Sequence, residues 1–120
     1  MATPEVAIRV GDEPVEAGGT VRGVAVVQRG DSCRALRIEL LFVESSRGLL
    51  EVARIGDIVR HEPPSESLTA GEEIEFSLQM PADAEPPFDS VKGGLHWMVR
   101  VTWDQRGPDH LFWERVPVAA

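Results

Sequence analysis

The sequence predicts an all-β protein, an antiparallel β-sandwich of about seven strands. Three observations point that way. Apolar residues recur at every second position in several segments, the period of a strand with one buried face. Turn formers separate those segments at spacings near ten residues, which favours antiparallel connections over βαβ units. No stretch of ten or more residues carries a convincing apolar stripe at the 3.6-residue period of a helix.

The strands follow in order. Val6, Ile8 and Val10 alternate in the first. Thr20 to Gln28 places Val21, Ala25 and Val27 on one face of the second. Arg34 to Glu44 does the same with Leu36, Ile38, Leu40 and Phe42. A weaker signal runs from Leu49 to Arg60. Three β-branched residues (Ile55, Ile58, Val59) argue against a helix there, and Gly56 marks a bulge or bend. Glu73 to Met80 alternates polar and apolar without error. Leu95, Trp97, Val99, Val101 and Trp103 alternate with His96, Met98, Arg100, Thr102 and Asp104. His110 to Val118 carries the last, weaker signal. Between them lie Gly11-Asp12-Glu13-Pro14, Ala17-Gly18-Gly19, Arg29-Gly30-Asp31-Ser32, Pro63-Pro64-Ser65, Ala70-Gly71, Pro86-Pro87 and Arg106-Gly107-Pro108, all ordinary turn chemistry. No internal repeat or linker interrupts them, so residues 1–120 read as a single sandwich domain. The expected core includes Ile38, Leu40, Phe76, Leu78, Trp97 and Val99, with Phe88 plugging one end.

Three segments resemble, in order and spacing, the amino-terminal half of the arrestin-like family, its sporulation-control and retromer relatives included. Glu16-Ala17-Gly18-Gly19-Thr20-Val21-Arg22-Gly23 is similar to the family's turn into a glycine-containing second strand. Leu68-Thr69-Ala70-Gly71 through Phe76-Ser77-Leu78-Gln79-Met80-Pro81 is similar to its alternating strand closed by proline. Pro86-Pro87-Phe88 followed by Leu95-His96-Trp97-Met98-Val99-Arg100-Val101 resembles its proline pair and the strand beyond. The family's serine before the phenylalanine is absent, and Trp97 stands where a tyrosine is usual. The resemblance implies an immunoglobulin-like, arrestin-like β-sandwich whose role is protein interaction or scaffolding rather than catalysis, with a protein partner. Full arrestins carry two such halves, and this chain holds one.

Charge and composition exclude several functions. Twelve basic residues against twenty acidic ones leave a net charge of −8, which repels nucleic acid and anionic membrane surfaces. Eleven of the cations are arginines and none adjoins another; with Lys92 alone beside them, the paired donors that arrestins use on phosphorylated receptors are missing, and phosphopeptide binding is expected to be absent. The longest apolar runs, Val24–Val27 and Leu40–Val43, are far too short to span a membrane. The first ten residues lack the cationic start and apolar stretch of a secretory signal, so the expected location is cytoplasmic.

Candidate chemistry is sparse. His61, His96 and His110 lie in three separate segments, read here as solvated, and none belongs to a hydrolytic or metal-binding motif. No cofactor is expected, and the chain does not read as an enzyme. Asp83, Glu85 and Asp89 share one proline-rich loop and are weak candidates for calcium, which favours clustered carboxylates; a calcium- or small-ligand-binding sandwich is the alternative function. Cys33, the single cysteine, reads as small, partly exposed and unreactive.

The sharper signal is a surplus of apolar residues. Val24 and Val26 oppose the core set of the second strand, and Leu41 and Val43 oppose that of the next. In Leu111-Phe112-Trp113 one aromatic must turn away from the core, which adds Trp113. A sandwich strand needs one buried face, so Val24, Val26, Leu41, Val43 and Trp113 are the candidate partner-binding residues. A loop of the chain itself, a partner protein, or another copy in a self-assembling component would cover them.

Overall fold

The computed structural model describes residues 3–119. Its strands are β1 (Glu5–Val10), β2 (Thr20–Arg29), β3 (Asp31–Ser32), β4 (Ala35–Ser46), β5 (Leu49–His61), β6 (Ser67–Leu68), β7 (Glu73–Gln79), β8 (Phe88–Ser90), β9 (Gly93–Asp104) and β10 (His110–Arg115). Seven have six residues or more, and those are the seven that the alternation predicts. The other three are pairing segments of two or three residues. Asp31–Ser32, taken from the sequence as a turn, pairs instead with Ser67–Leu68.

The pairing is antiparallel throughout the named strands. One sheet has the order β1-β2-β7 and the larger one β10-β9-β4-β5, with β8 extending the edge beyond β10 along β9. The inward sets of both sheets form the core: Val6 and Ile8, Val21, Ala25 and Val27, and Ile74, Phe76 and Leu78 from the smaller sheet; Leu36 to Phe42 and Trp97 to Trp103 from the larger. Each core residue named above from sequence is buried. Phe88 is the exception at 60% exposure. It opens a three-residue edge strand paired only with β9, at a rim shared with Ser45, Ser46 and Lys92.

β4 and β5 form a hairpin closed by Arg47 and Gly48, both at positive φ (52° and 77°), the geometry of the two-residue turn that matches strand twist. Further along, the register between β4 and β5 slips twice, passing over Ala53 and Gly56. Each extra residue is a bulge. At the second, the indole of Trp97 occupies the space a side chain would need: a Cβ on Gly56 would lie 2.9 Å from the ring. The glycine predicted to bend the strand is therefore also the one that lets the largest core residue in.

Cys33 is buried at 1% exposure, not partly exposed as its place beside a turn suggested. The β3–β6 pairing closes over it, with its backbone N–H donating to the carbonyl of Glu66 at 2.9 Å. Desolvation pushes the thiol up to about 11, and the nearby Asp104 charge adds to that against a bond from the Ala35 backbone. It is an inert core group.

Candidate interaction surface

Residues paired across a sheet share a face, so the register defines the outward side of the larger sheet. Arg37, Glu39, Leu41, Val43 and Ser45 of β4 run down its middle. Arg60, Ile58, Ile55, Val52 and Leu50 of β5 flank them on one side. Thr102, Arg100, Met98 and His96 of β9 flank them on the other, with Leu111, Trp113 and Arg115 of β10 beyond.

The candidate partner residues divide between two faces. Leu41, Val43 and Trp113 lie on this one, whereas Val24 and Val26 lie across the sandwich on the outer face of the smaller sheet. There they are half-buried, in register with Arg9 and Glu75 and with Ala7 and Glu73. Leu41 and Val43 need a correction: at 0% and 1% exposure they are covered within the chain and offer nothing to a partner. They sit in a central strand between large neighbours, Leu41 in register with Met98 and Ile55 and Val43 with His96 and Val52. On this face the exposed apolar groups are the neighbours on β5, which sequence reading missed: Leu50, Val52, Ile55 and Ile58, with Ile55 57% exposed. Their spacing of two, three and three residues hides the strand, because each bulge inserts a residue that breaks the period. Leu111 on β10 is exposed as well. Of the adjacent aromatics, Phe112 packs on the core and Trp113 turns outward.

A buried carboxylate anchors the middle of the face. Glu39 receives hydrogen bonds from Arg100 Nε and Nη2, both at 3.0 Å, and from Thr102 Oγ1 at 3.3 Å, with Arg37 Nε 3.2 Å away. The Arg100 guanidinium in turn lies 5.3 Å from the centre of the Trp113 ring. Burial pushes the Glu39 carboxyl up, but the bonds and charges of Arg100 and Arg37 outweigh it and leave it below the ordinary glutamate value. A depressed folded-state pKa stabilises the fold above the unfolded value of about 4.3, and that contribution fades as pH falls through the folded one. Glu39→Gln should therefore cost about 2 kcal/mol at neutral pH. In urea titrations the gap from the parent chain should begin to narrow as pH falls below the unfolded value of about 4.3, and close once pH has passed through the lower folded one. A gap that ignores pH would show that the charge does not act.

The acidic loop is spoken for. Arg54 reaches Asp83 Oδ1 at 2.6 Å and also pairs with Glu85, so the Asp83 carboxyl, hydrogen-bonded and faced by that guanidinium, is held below its usual range. Asp89 lies elsewhere, with Oδ1 2.8 Å from His96 Nε2. The three calcium candidates thus face two different partners and do not converge. Among the described residues no group of three or more His, Cys, Asp or Glu side chains is placed to hold a metal ion. His96 is itself buried, contrary to its reading as a solvated group, because it lies on a central strand beside Val43. His61 and His110 are half-buried at the ends of β5 and β10.

No family model and no curated protein matches the sequence. The structure does match solved ones. Among them is Spo0M, the sporulation control protein of Bacillus subtilis, at a TM-score of 0.65 and 16% identity over 100% of this chain. The fold is arrestin-like. The likeness covers 51% of the Spo0M chain, so the present chain spans about half the length of that protein. At this identity the arrestin-like fold is what the two share, and function has to be argued from the surface. Among the described residues no helix is long and apolar enough to cross a membrane.

Proposed function

We propose that the chain is a non-enzymatic protein-interaction module of arrestin-like type, working as a scaffold in the cytoplasm and docking through the outward face of its larger sheet. The observation that supports this most is the run of exposed apolar side chains on β5, Leu50, Val52, Ile55 and Ile58, beside half-buried Met98 and Trp113. Contiguous apolar surface of that kind marks interaction sites on otherwise polar molecules. The buried, inert thiol of Cys33 fits a reducing compartment. The calcium-binding alternative loses its support, since Arg54 already compensates the two carboxylates nearest each other in the loop.

The test is affinity capture from the native cell extract with the parent chain and with Ile55→Asp/Ile58→Asp, followed by quantitative mass spectrometry. Both positions are exposed, so the variant should fold, as circular dichroism will check. A partner held in near-stoichiometric amount by the parent and lost from the variant is expected. Identical capture by both would remove this face from the proposal.

A further inference from the structure

The interaction reading leaves the occupant of the face open. Resting on that reading, we propose that the occupant is a second copy of this chain, packed sheet against sheet in an isologous dimer. Three features of the molecule converge on it.

The first is area. A chain of 13.2 kDa ordinarily leaves about 6,400 Å² accessible, but this one leaves 7206 Å². The surplus of about 800 Å² belongs to the whole molecule, the exposed ends at Leu49, Phe88 and Val91 included, and is of the order that one partner contributes to a standard stable interface. The outward face has the matching extent. β5, β4 and β9 carry the five rows from Arg37 to Ser45, about 27 Å long, and β10 widens the first three rows to four strands, about 19 Å, before side-chain relief is counted.

The second is charge. Two molecules of net charge −8 repel each other over most of their surface. On the four strands of this face, Glu39 is the one carboxylate between the Arg37 and Ser45 rows, and it is buried and matched by Arg100 and Arg37. Two further carboxylates stand at its borders, Asp89 of β8 at the Ser45 end against His96 and Glu62 beyond β5 against Arg60. An acidic molecule meets its own copy at least cost through a face whose centre carries no unmatched carboxylate. The outer face of the smaller sheet, with Glu73 and Glu75 flanking Val26 and Val24, lacks that property.

The third is layout. The centre of the face is apolar, with Val52, Ile55 and Met98 around covered Leu41, and the exposed cations Arg37, Arg60 and Arg115 stand at its margins. Apolar centre and polar rim is the arrangement of association surfaces. An isologous contact requires one such patch, used twice.

Sedimentation velocity and light scattering on the full chain, from about 1 to about 500 μM, should show reversible passage from 13.2 kDa to twice that mass, the range expected for an interface of this size. Ile55→Asp should weaken dimerisation at least about tenfold, while Glu75→Lys on the opposite sheet should leave it unchanged. Should Ile55→Asp fail to fold, Leu111→Lys, exposed on the far strand of the same face, gives the same readout. A chain that stays monomeric throughout, or a dimer indifferent to both variants, overturns the proposal. Tight binding of an acidic peptide to a monomeric chain, lost in Ile55→Asp, would overturn the second copy while sustaining the interaction reading, and the capture experiment above decides that reading separately.

Discussion

Leu41→Lys should fail to fold, while Ile55→Lys, beside it in the sheet, should be tolerated. The two residues are in register across β4 and β5 and share a face, yet one is 0% and the other 57% exposed. Truncating a buried leucine costs about 2–5 kcal/mol. Replacing it with a charged chain adds several more, because Glu39, the carboxylate two residues back on the same strand face, already holds two arginines. The sum reaches the whole stability of an ordinary domain, about 5–15 kcal/mol. Ile55→Lys exchanges one exposed side chain for another and should lie within about 0.5 kcal/mol of the parent. Far-ultraviolet circular dichroism and thermal melts of both variants check the pair; a folded Leu41→Lys chain with a parental melting temperature would show that the outer layer is not packed as described. Leu41→Ala supplies an intermediate case at about 3 kcal/mol.

Trp97→Ala should be the costliest truncation in the core, at about 3–5 kcal/mol. The ring is fully buried, sits 5.1 Å from Phe42 in a tilted pair, and fills the space left by Gly56 at the bulge. Its Nε1–H donates to the carbonyl of Glu85 at 2.9 Å, which ties the 81–87 loop to the middle of the larger sheet. Trp97→Phe separates the two roles. It keeps much of the packing but loses the donor to the carbonyl of half-buried Glu85, and should cost about 1 kcal/mol beyond the packing lost. Hydrogen exchange should quicken in residues 81–87 in both variants, yet remain bounded because Arg54 still holds Asp83 and Glu85. Unchanged exchange there would mean that Arg54 alone fixes the loop.

Strand existence was legible wherever one side of the strand faced the core without interruption. Glu73–Gln79 and Gly93–Asp104 alternate as a half-buried ladder must, and each of their inward residues could be named. β5 defeated that reading at the point where it mattered most. With extra residues at Ala53 and Gly56, its outward set falls at 50, 52, 55, 58 and 60, a spacing closer to a helix than to a strand. The apolar surface of the candidate site was therefore hidden in the least regular segment. Leu41 and Val43 carried a true signal, a second apolar face, but whether a partner or neighbouring strands cover it depends on sheet order, which periodicity does not encode. The same holds for Arg54 with Asp83 and Glu85, for Glu39 with Arg100, and for His96 with Asp89. Those pairs are set by register between strands and loops distant in the chain.

The two bulges in β5 bear on what kind of assembly the apolar face permits. A thirteen-residue strand at the border of a sheet, apolar on one side, is the template from which chains add to one another without limit. Here the rhythm of amides and carbonyls breaks at Ala53 and again at Gly56. Between Gly56 and Ile58 the border is further occupied, since Asp57 Oδ2 accepts the backbone N–H of Gln79 from the opposite sheet at 2.7 Å. A newcomer strand would find no uninterrupted ladder to copy and could not propagate one. Growth into fibres is thus barred on the side where stickiness is greatest, and association through the face of the sheet ends once two faces have met.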